Sequence, residues 1–223
     1  MAIKAYLLTE QAYDVVKQNI FEQTLSPAQR IVITSVAKDL ECSLSSVREA
    51  LFRLRAEGLV DYSPNQGFQV APLLGTKSFD DLYDTRRLIE PHTAQIAART
   101  ITSRDLDELR ETLLTMRSCS EEPVFTNFQP FMESDAKFHQ RIFQVAGNSI
   151  LLELYDHLHV HLHLSRLYRV REIVDVDAGC EEHAQILQAL ESRDEKRVYQ
   201  AVKDHIEGSY NRLRWAVASS KGV

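Results

Sequence analysis

The chain has 223 residues, 44% of them hydrophobic, and a formal net charge of −6. That length suits one large domain or two small ones, and that composition an ordinary globular protein. Three scattered cysteines (Cys42, Cys119, Cys180) exclude a disulfide framework, and no run approaches the roughly 18–20 apolar residues of a membrane span.

The N-terminal stretch holds neither a long apolar core nor a small-residue cleavage site. No signal peptide is expected, and a reducing cytoplasm is the expected location. The charge balance does not announce nucleic-acid binding. Residues 1–72 carry 7 Lys+Arg against 8 Asp+Glu, and the remainder carries 19 against 24. A basic face has to come from local placement and from doubling in a homodimer.

In chain order, residues 10–23 place Ala12, Val15, Val16, Ile20 and Phe21 on one helical stripe. Pro27 breaks the chain, and β-branched Ile31, Val32 and Ile33 predict a short strand. Thr34 and Ser35 offer caps for a short helix over 36–41. A second helix over 47–57 follows, with Ser46 and Glu49 at capping-box spacing and Gly58 as its stop. Residues 59–62 and 68–70 are β-prone runs around Ser63–Gly67, a hairpin with a five-residue loop. Residues 72–76 read as a linker. Six helices are then expected, over 78–101, 103–118, 129–146, 149–172, 178–191 and 194–218. Pro91 is expected to kink the first. Ser103 is read as an N-cap, Gly147-Asn148 as a C-cap and Asp194 as a helix start. The fold class is mainly α: an N-terminal winged helix-turn-helix (1–72), a linker (73–76) and a C-terminal antiparallel all-helical bundle (77–223).

Short helix, tight turn, second helix and hairpin is the order of a winged helix-turn-helix. Such a module lays its second helix in the major groove and shows base edges the side chains at that helix's N-terminus. Here these are Ser43, Ser45, Ser46 and Arg48, with Arg53 further along. Asn65, Gln66 and Gly67 form a hairpin tip suited to the adjacent backbone or minor groove. Between 44 and 55 the charges are Arg48, Arg53 and Arg55 against Glu49, a locally basic balance. The plainer alternative is a generic helical module whose serines are only caps.

Val47-Arg48-Glu49-Ala50-Leu51, Arg53-Leu54, Glu57-Gly58-Leu59-Val60 and Asn65-Gln66-Gly67 with Val70 resemble the DNA-binding domain of the GntR family. The resemblance covers 10–72 and implies a transcription regulator that binds double-stranded operator DNA as a homodimer. It has departures. Members usually have arginine where this chain has Leu44, often another near Thr34, and glycine where it has Ala28.

The bundle holds a second constellation. Asp135 and His139 lie four apart on one helix face, in the stripe of Phe131, Phe138 and Ile142. His183 shares a stripe with Ile186, Leu187 and Leu190, and His205 one with Val198, Val202 and Ile206. These two histidines lie about 9 and 11 residues from the turn near 192–194. At ~1.5 Å per residue that sets their rings within about 3 Å of one height in an antiparallel hairpin. One carboxylate and three imidazoles suit a divalent first-row metal with an open position, zinc first, with nickel, manganese or iron as alternatives. The alternative is four separate, hydrogen-bonded core residues. Asp135-x3-His139, Gly147-Asn148, Glu182-His183 and His205-Ile206 resemble the FCD ligand-binding domain of the FadR branch, and six helices are similar to its VanR-type members. That resemblance implies a metal on these four residues and a small carboxylate effector, such as a sugar acid or hydroxy acid. Arg86, in Leu82-Tyr83-Asp84-x-Arg86-x3-Glu90-Pro91, matches a family arginine that faces the pocket. A salt bridge with Asp84 or Glu90 is its plainer role. Arg166 is a second effector candidate.

His157, His159, His161 and His163 alternate with apolar residues. Period two suggests a strand with a histidine face, but a run without Gly or Pro between helical stripes favours a helix. Most of these histidines are then expected in solvent or at an interface, with one reaching the effector pocket. A metalloenzyme remains conceivable, since Asp plus three His can activate water. It lacks an obvious general base and leaves residues 1–72 without a task. A metal sensor, with the ion itself as signal, is the other alternative.

Overall fold

The structure is a computed structural model. It describes residues 2–119, 128–169 and 176–219, and within these the side chains of 2–6, 128, 129, 163, 165–169 and 215–219 are excluded. The chain divides into two compact units: Met1–Leu73 with Val160–Tyr168, and Leu74–His159 with Arg169–Val223. No helix is long and apolar enough to cross a membrane.

In the first unit, α1 (Ala2–Phe21) buries Ala12, Val16 and Ile20 at four-residue spacing, one turn above another. It begins well before the predicted residue 10. Next come α2 (Ile33–Asp39) and α3 (Leu44–Ala56), then strands β1 (Val60–Ser63) and β2 (Gly67–Val70). The strands pair antiparallel from Val60↔Val70 to Ser63↔Gly67, so three residues span the turn rather than five. Val47, Ala50, Leu51 and Leu54 form the buried stripe of α3 and meet Ile31, Leu59, Val60, Phe68 and Val70 in one core. Leu164 of α7 (Ser149–Arg169) completes that core. Gly58 ends α3 at φ +79°, a left-handed conformation that costs an L-residue its Cβ clearance.

Three local expectations are corrected. Ile31–Ile33 form no strand: only Arg30↔Gln69 makes a bridge, with Ile31 N–H donating to the Phe68 carbonyl at 2.8 Å, and Ile33 already opens α2. Thr34 and Ser35 therefore lie inside α2, whose N-cap Val32 offers no side-chain acceptor. The cap of α3 is Ser43, whose Oγ accepts from Ser46 N–H at 3.0 Å, so helix geometry starts three residues earlier than the Ser46–Glu49 reading.

The second unit comprises α4 (Thr76–Thr100), α5 (Ser103–Ser118), α6 (Phe128–Ala146), the first half of α7, α8 (Val176–Ser192) and α9 (Glu195–Ser219). These match the six expected helices within a few residues. Pro91 is buried inside α4. The N-cap of α5 is Thr102, not Ser103: Thr102 Oγ1 accepts from Asp105 N–H while Asp105 accepts from Thr102 N–H at 2.8 Å, a reciprocal capping box. Gly147 closes α6 at φ +73°, and Asn148 Oδ1 accepts from Ile150 and Leu151 to open α7. Asp194 does the same for α9 through Lys196 and Arg197. α4 packs along α9, with the Tyr83 and Ser209 hydroxyls buried together at 2.8 Å.

Candidate metal centre and DNA-facing surface

Asp135 and His139 come from adjacent turns of α6, His183 from α8 and His205 from α9. All four are at least 97% buried. One ligand atom from each lies within 4.8 Å of all the others. The His139 Nε2 stands 3.2 Å from Nε2 of both His183 and His205, and His183 Nε2 is 3.3 Å from Asp135 Oδ1. The His183 and His205 rings are 4.4 Å apart, as the height argument expects.

Each ring faces an acceptor with its other nitrogen. His183 Nδ1 is 2.6 Å from the Gly179 carbonyl, His205 Nδ1 2.9 Å from Glu182 Oε2, and His139 Nδ1 3.4 Å from Glu90 Oε2. With protons assigned to Nδ1 by those acceptors, all three Nε2 atoms are lone-pair donors aimed at one point. Burial, reinforced by the neighbouring His183, holds His139 and His205 well below the ordinary imidazole range, although Asp135 pulls the other way. His139 and His205 stay neutral, the form that ligates metal. Such a cluster can hold a divalent cation.

Sequence reasoning missed the carboxylates behind the rings. Glu182 is gripped by both terminal nitrogens of Arg212 at 2.6 Å. Glu90 is paired with Arg86, and both are at least 97% buried. Glu182 precedes His183 in the motif, which was its one signal. Glu90 was weighed only as a partner for Arg86. That salt bridge is present, and Arg86 Nη1 is left buried without a hydrogen-bond partner among the described residues. Burial works against the guanidinium charge, but Glu90 outweighs it and raises the Arg86 pKa. Arg166 has no described side chain, so its assignment lies outside the described residues.

The histidine tract is helical. His159 is the member that reaches the centre, its Nε2 3.9 Å from Asp135 Oδ2 and its ring 5.5 Å from Tyr155. His157 is exposed and bonds the Glu153 carbonyl. His161 falls in the first unit, and the His163 side chain is outside the described residues.

On α3, Ser45, Arg48 and Glu49 are exposed, and Arg48 has no ion pair among the described residues. Asn65 and Gln66 are exposed at the hairpin tip, and Gly67 takes φ +75° behind them. Two residues of the expected DNA-facing set have partners within the protein. Ser46 is buried, with its hydroxyl 3.0 Å from Ser43 Oγ. Arg53 is paired with Glu10 and lies over the Tyr13 ring, because its position on α3 faces α1. Arg55, which contributes to the locally basic balance of α3, is exposed and 5.8 Å from the Tyr62 ring.

A family model for bacterial regulatory proteins of the gntR family matches residues 8–70, and one for the FCD domain matches 81–208. The chain is 25% identical over 214 residues to the uncharacterized HTH-type transcriptional regulator YdhC of Bacillus subtilis, covering 95% of this chain and 93% of YdhC. It is 26% identical over 196 residues to the HTH-type transcriptional regulator McbR of Escherichia coli, covering 87% of each. The solved E. coli McbR/YncC structure superposes with a TM-score of 0.77 at 23% identity, over 93% of this chain and 97% of that one. A metal-free FCD domain, TM0439, gives 0.54 at 17% identity over 66% of this chain and 98% of its own. The chain therefore belongs to the FCD-containing regulators of the GntR family: it is a DNA-binding transcription regulator, not an enzyme.

Proposed function

We propose that operator affinity in this regulator is set by a small carboxylate that binds at a divalent metal held by Asp135, His139, His183 and His205. The observation that carries this is the convergence of three Nε2 atoms whose Nδ1 partners already face acceptors. Neutral lone pairs at 3.2 Å repel one another, and a cation turns that repulsion into attraction. Nitrogen-rich ligation with one carboxylate favours zinc first, with nickel, manganese or iron as alternatives.

The four ligands together carry one negative charge, so a bound divalent ion would leave a net positive centre in a low-dielectric interior. As a Lewis acid it would attract a carboxylate oxygen. Arg86 Nη1, buried and without a hydrogen-bond partner among the described residues, is the protein donor offered to the same anion. The protein is read as a homodimer acting on operator DNA in the cytoplasm, with 1–72 as the DNA-binding half, 73–76 as linker and 77–223 as the effector half.

Native mass spectrometry of the purified protein tests the metal and the dimer together. One ion per chain and a two-chain mass are expected. Fluorescence anisotropy with operator DNA then tests the signal, using a panel of sugar acids and hydroxy acids. An operator affinity unchanged by every acid at saturation removes the effector reading. Full ion stoichiometry in a His183→Ala/His205→Ala double variant removes the site assignment.

A further inference from the structure

We propose that Leu44 reads the 5-methyl group of a thymine, beside a guanine read by Arg48. Leu44 is the first residue of α3 and keeps 47% of its surface exposed. An exposed leucine by itself means little. This one stands at the end of the helix that enters the major groove, where side chains meet base edges. Arg48 lies one helical turn further on the same side, also exposed. The hydroxyls of the serines around Leu44 are engaged with one another: Ser43 Oγ contacts Ser45 Oγ at 2.7 Å and Ser46 Oγ at 3.0 Å, and it caps the helix by accepting from Ser46 N–H. Leu44 is the exposed apolar side chain among these hydrogen-bonded serines, with Arg48 exposed one turn further on.

A leucine has neither donor nor acceptor, so it cannot distinguish bases by hydrogen bonding. The thymine methyl is the apolar feature of the major groove, and apolar side chains select it. Arginine in the same groove pairs with guanine O6 and N7. Phe52, the other large exposed apolar residue of α3 (48%), is already engaged, 5.1 Å from the Phe68 ring and 5.9 Å from that of Tyr62.

The test starts from a random duplex library selected on the full-length protein, with the best-bound duplex as probe. Replacing one thymine of each half-site by deoxyuridine, which lacks only the methyl, is expected to weaken binding about fifteenfold, roughly fourfold for the buried carbon lost in each half-site. Leu44→Ala is expected to weaken the thymine duplex by a similar factor and to abolish the thymine–deoxyuridine difference. Leu44→Arg is expected to shift selection at that position from thymine to guanine. The proposal is overturned if deoxyuridine at every thymine leaves affinity unchanged, if the penalty persists undiminished in Leu44→Ala, or if Leu44→Arg selects the wild-type bases. Circular dichroism of each variant separates these outcomes from misfolding.

Discussion

Gly208 makes room for Glu182: a Cβ at position 208 would lie 2.2 Å from Glu182 Oε1 and 3.0 Å from Arg212 Nη1. The missing side chain lets the Glu182 carboxylate lie between Arg212 and His205 Nδ1, which fixes the ring with Nε2 toward the centre. Partners of this kind are worth 10–100-fold in metal affinity. Gly208→Ala and Glu182→Gln are each expected to weaken zinc binding by about that factor, measured by competition with a chromophoric chelator. Wild-type zinc affinity in both would show that Glu182 serves packing alone. In the wild type, stripping the ion is expected to lower thermal stability by about 2.7 kcal/mol relative to protein at a hundredfold excess of ion over Kd.

The Arg86–Glu90 pair joins α4 to the centre, because Glu90 also faces His139 Nδ1. Removing one member leaves the other charged and buried, at a cost of about 3–5 kcal/mol. Glu90→Ala is expected to lower the urea midpoint accordingly. Arg86→Met/Glu90→Met together is expected to recover much of that stability while losing effector response. A double variant that still responds to the acid would exclude Arg86 as an anion donor.

Ala28 sits at φ +60°, with its N–H donating to the Val70 carbonyl at 3.1 Å. The left-handed conformation costs an L-residue roughly 1–2 kcal/mol, while glycine adds about 0.4–1 kcal/mol of unfolded-state entropy. Ala28→Gly is therefore expected to stabilise the protein by up to about 1 kcal/mol. The readout is a higher urea midpoint at unchanged m-value. A lower midpoint would contradict the strain argument.

Asp105 combines the α5 capping box with an ion pair to Arg141 at 2.7 Å. Burial pushes its carboxyl up, but the Thr102 hydrogen bonds and the Arg141 charge outweigh it and hold the pKa below the ordinary aspartate range. The unfolded chain takes up this proton first as pH falls. The stabilisation is thus full above about pH 4 and is lost as pH drops through the lower folded value. Thr102→Ala is expected to cost about 1 kcal/mol at neutral pH. Asp105→Asn is expected to flatten the stability profile below about pH 4. An unchanged acid limb in that variant would assign the acid sensitivity elsewhere.

Much of this protein is written in short-range pattern. Helical stripes located α4 to α9 within a few residues, and Asp135, His139, His183 and His205 stood out because polar groups at inward positions need partners. Caps were less legible, as Thr102 and Ser43 show: neighbouring hydroxyls compete for one backbone N–H, and the choice depends on where the preceding chain enters. Ile31–Ile33 misled for a related reason, since β-propensity yields when helix α2 has a core to join.

Tertiary structure decided what no spacing encodes. Residues far apart in sequence meet only when helices pack, so the placement of Glu90 behind His139, Glu182 behind His205 and Arg53 against Glu10 required the folded chain. The same holds for His159. Its sequence neighbours in the tract are chemically identical, and only the packing of α7 beside Asp135 separates it from them. Sequence by itself pointed to the DNA-binding module and the four candidate ligands: local periodicity and buried polarity, which are properties of single helices, marked them out, and the resemblance to the GntR and FCD domains chose between the open readings. The supporting charges were settled by helix–helix geometry, because an exposed partner and a buried one look alike along the chain.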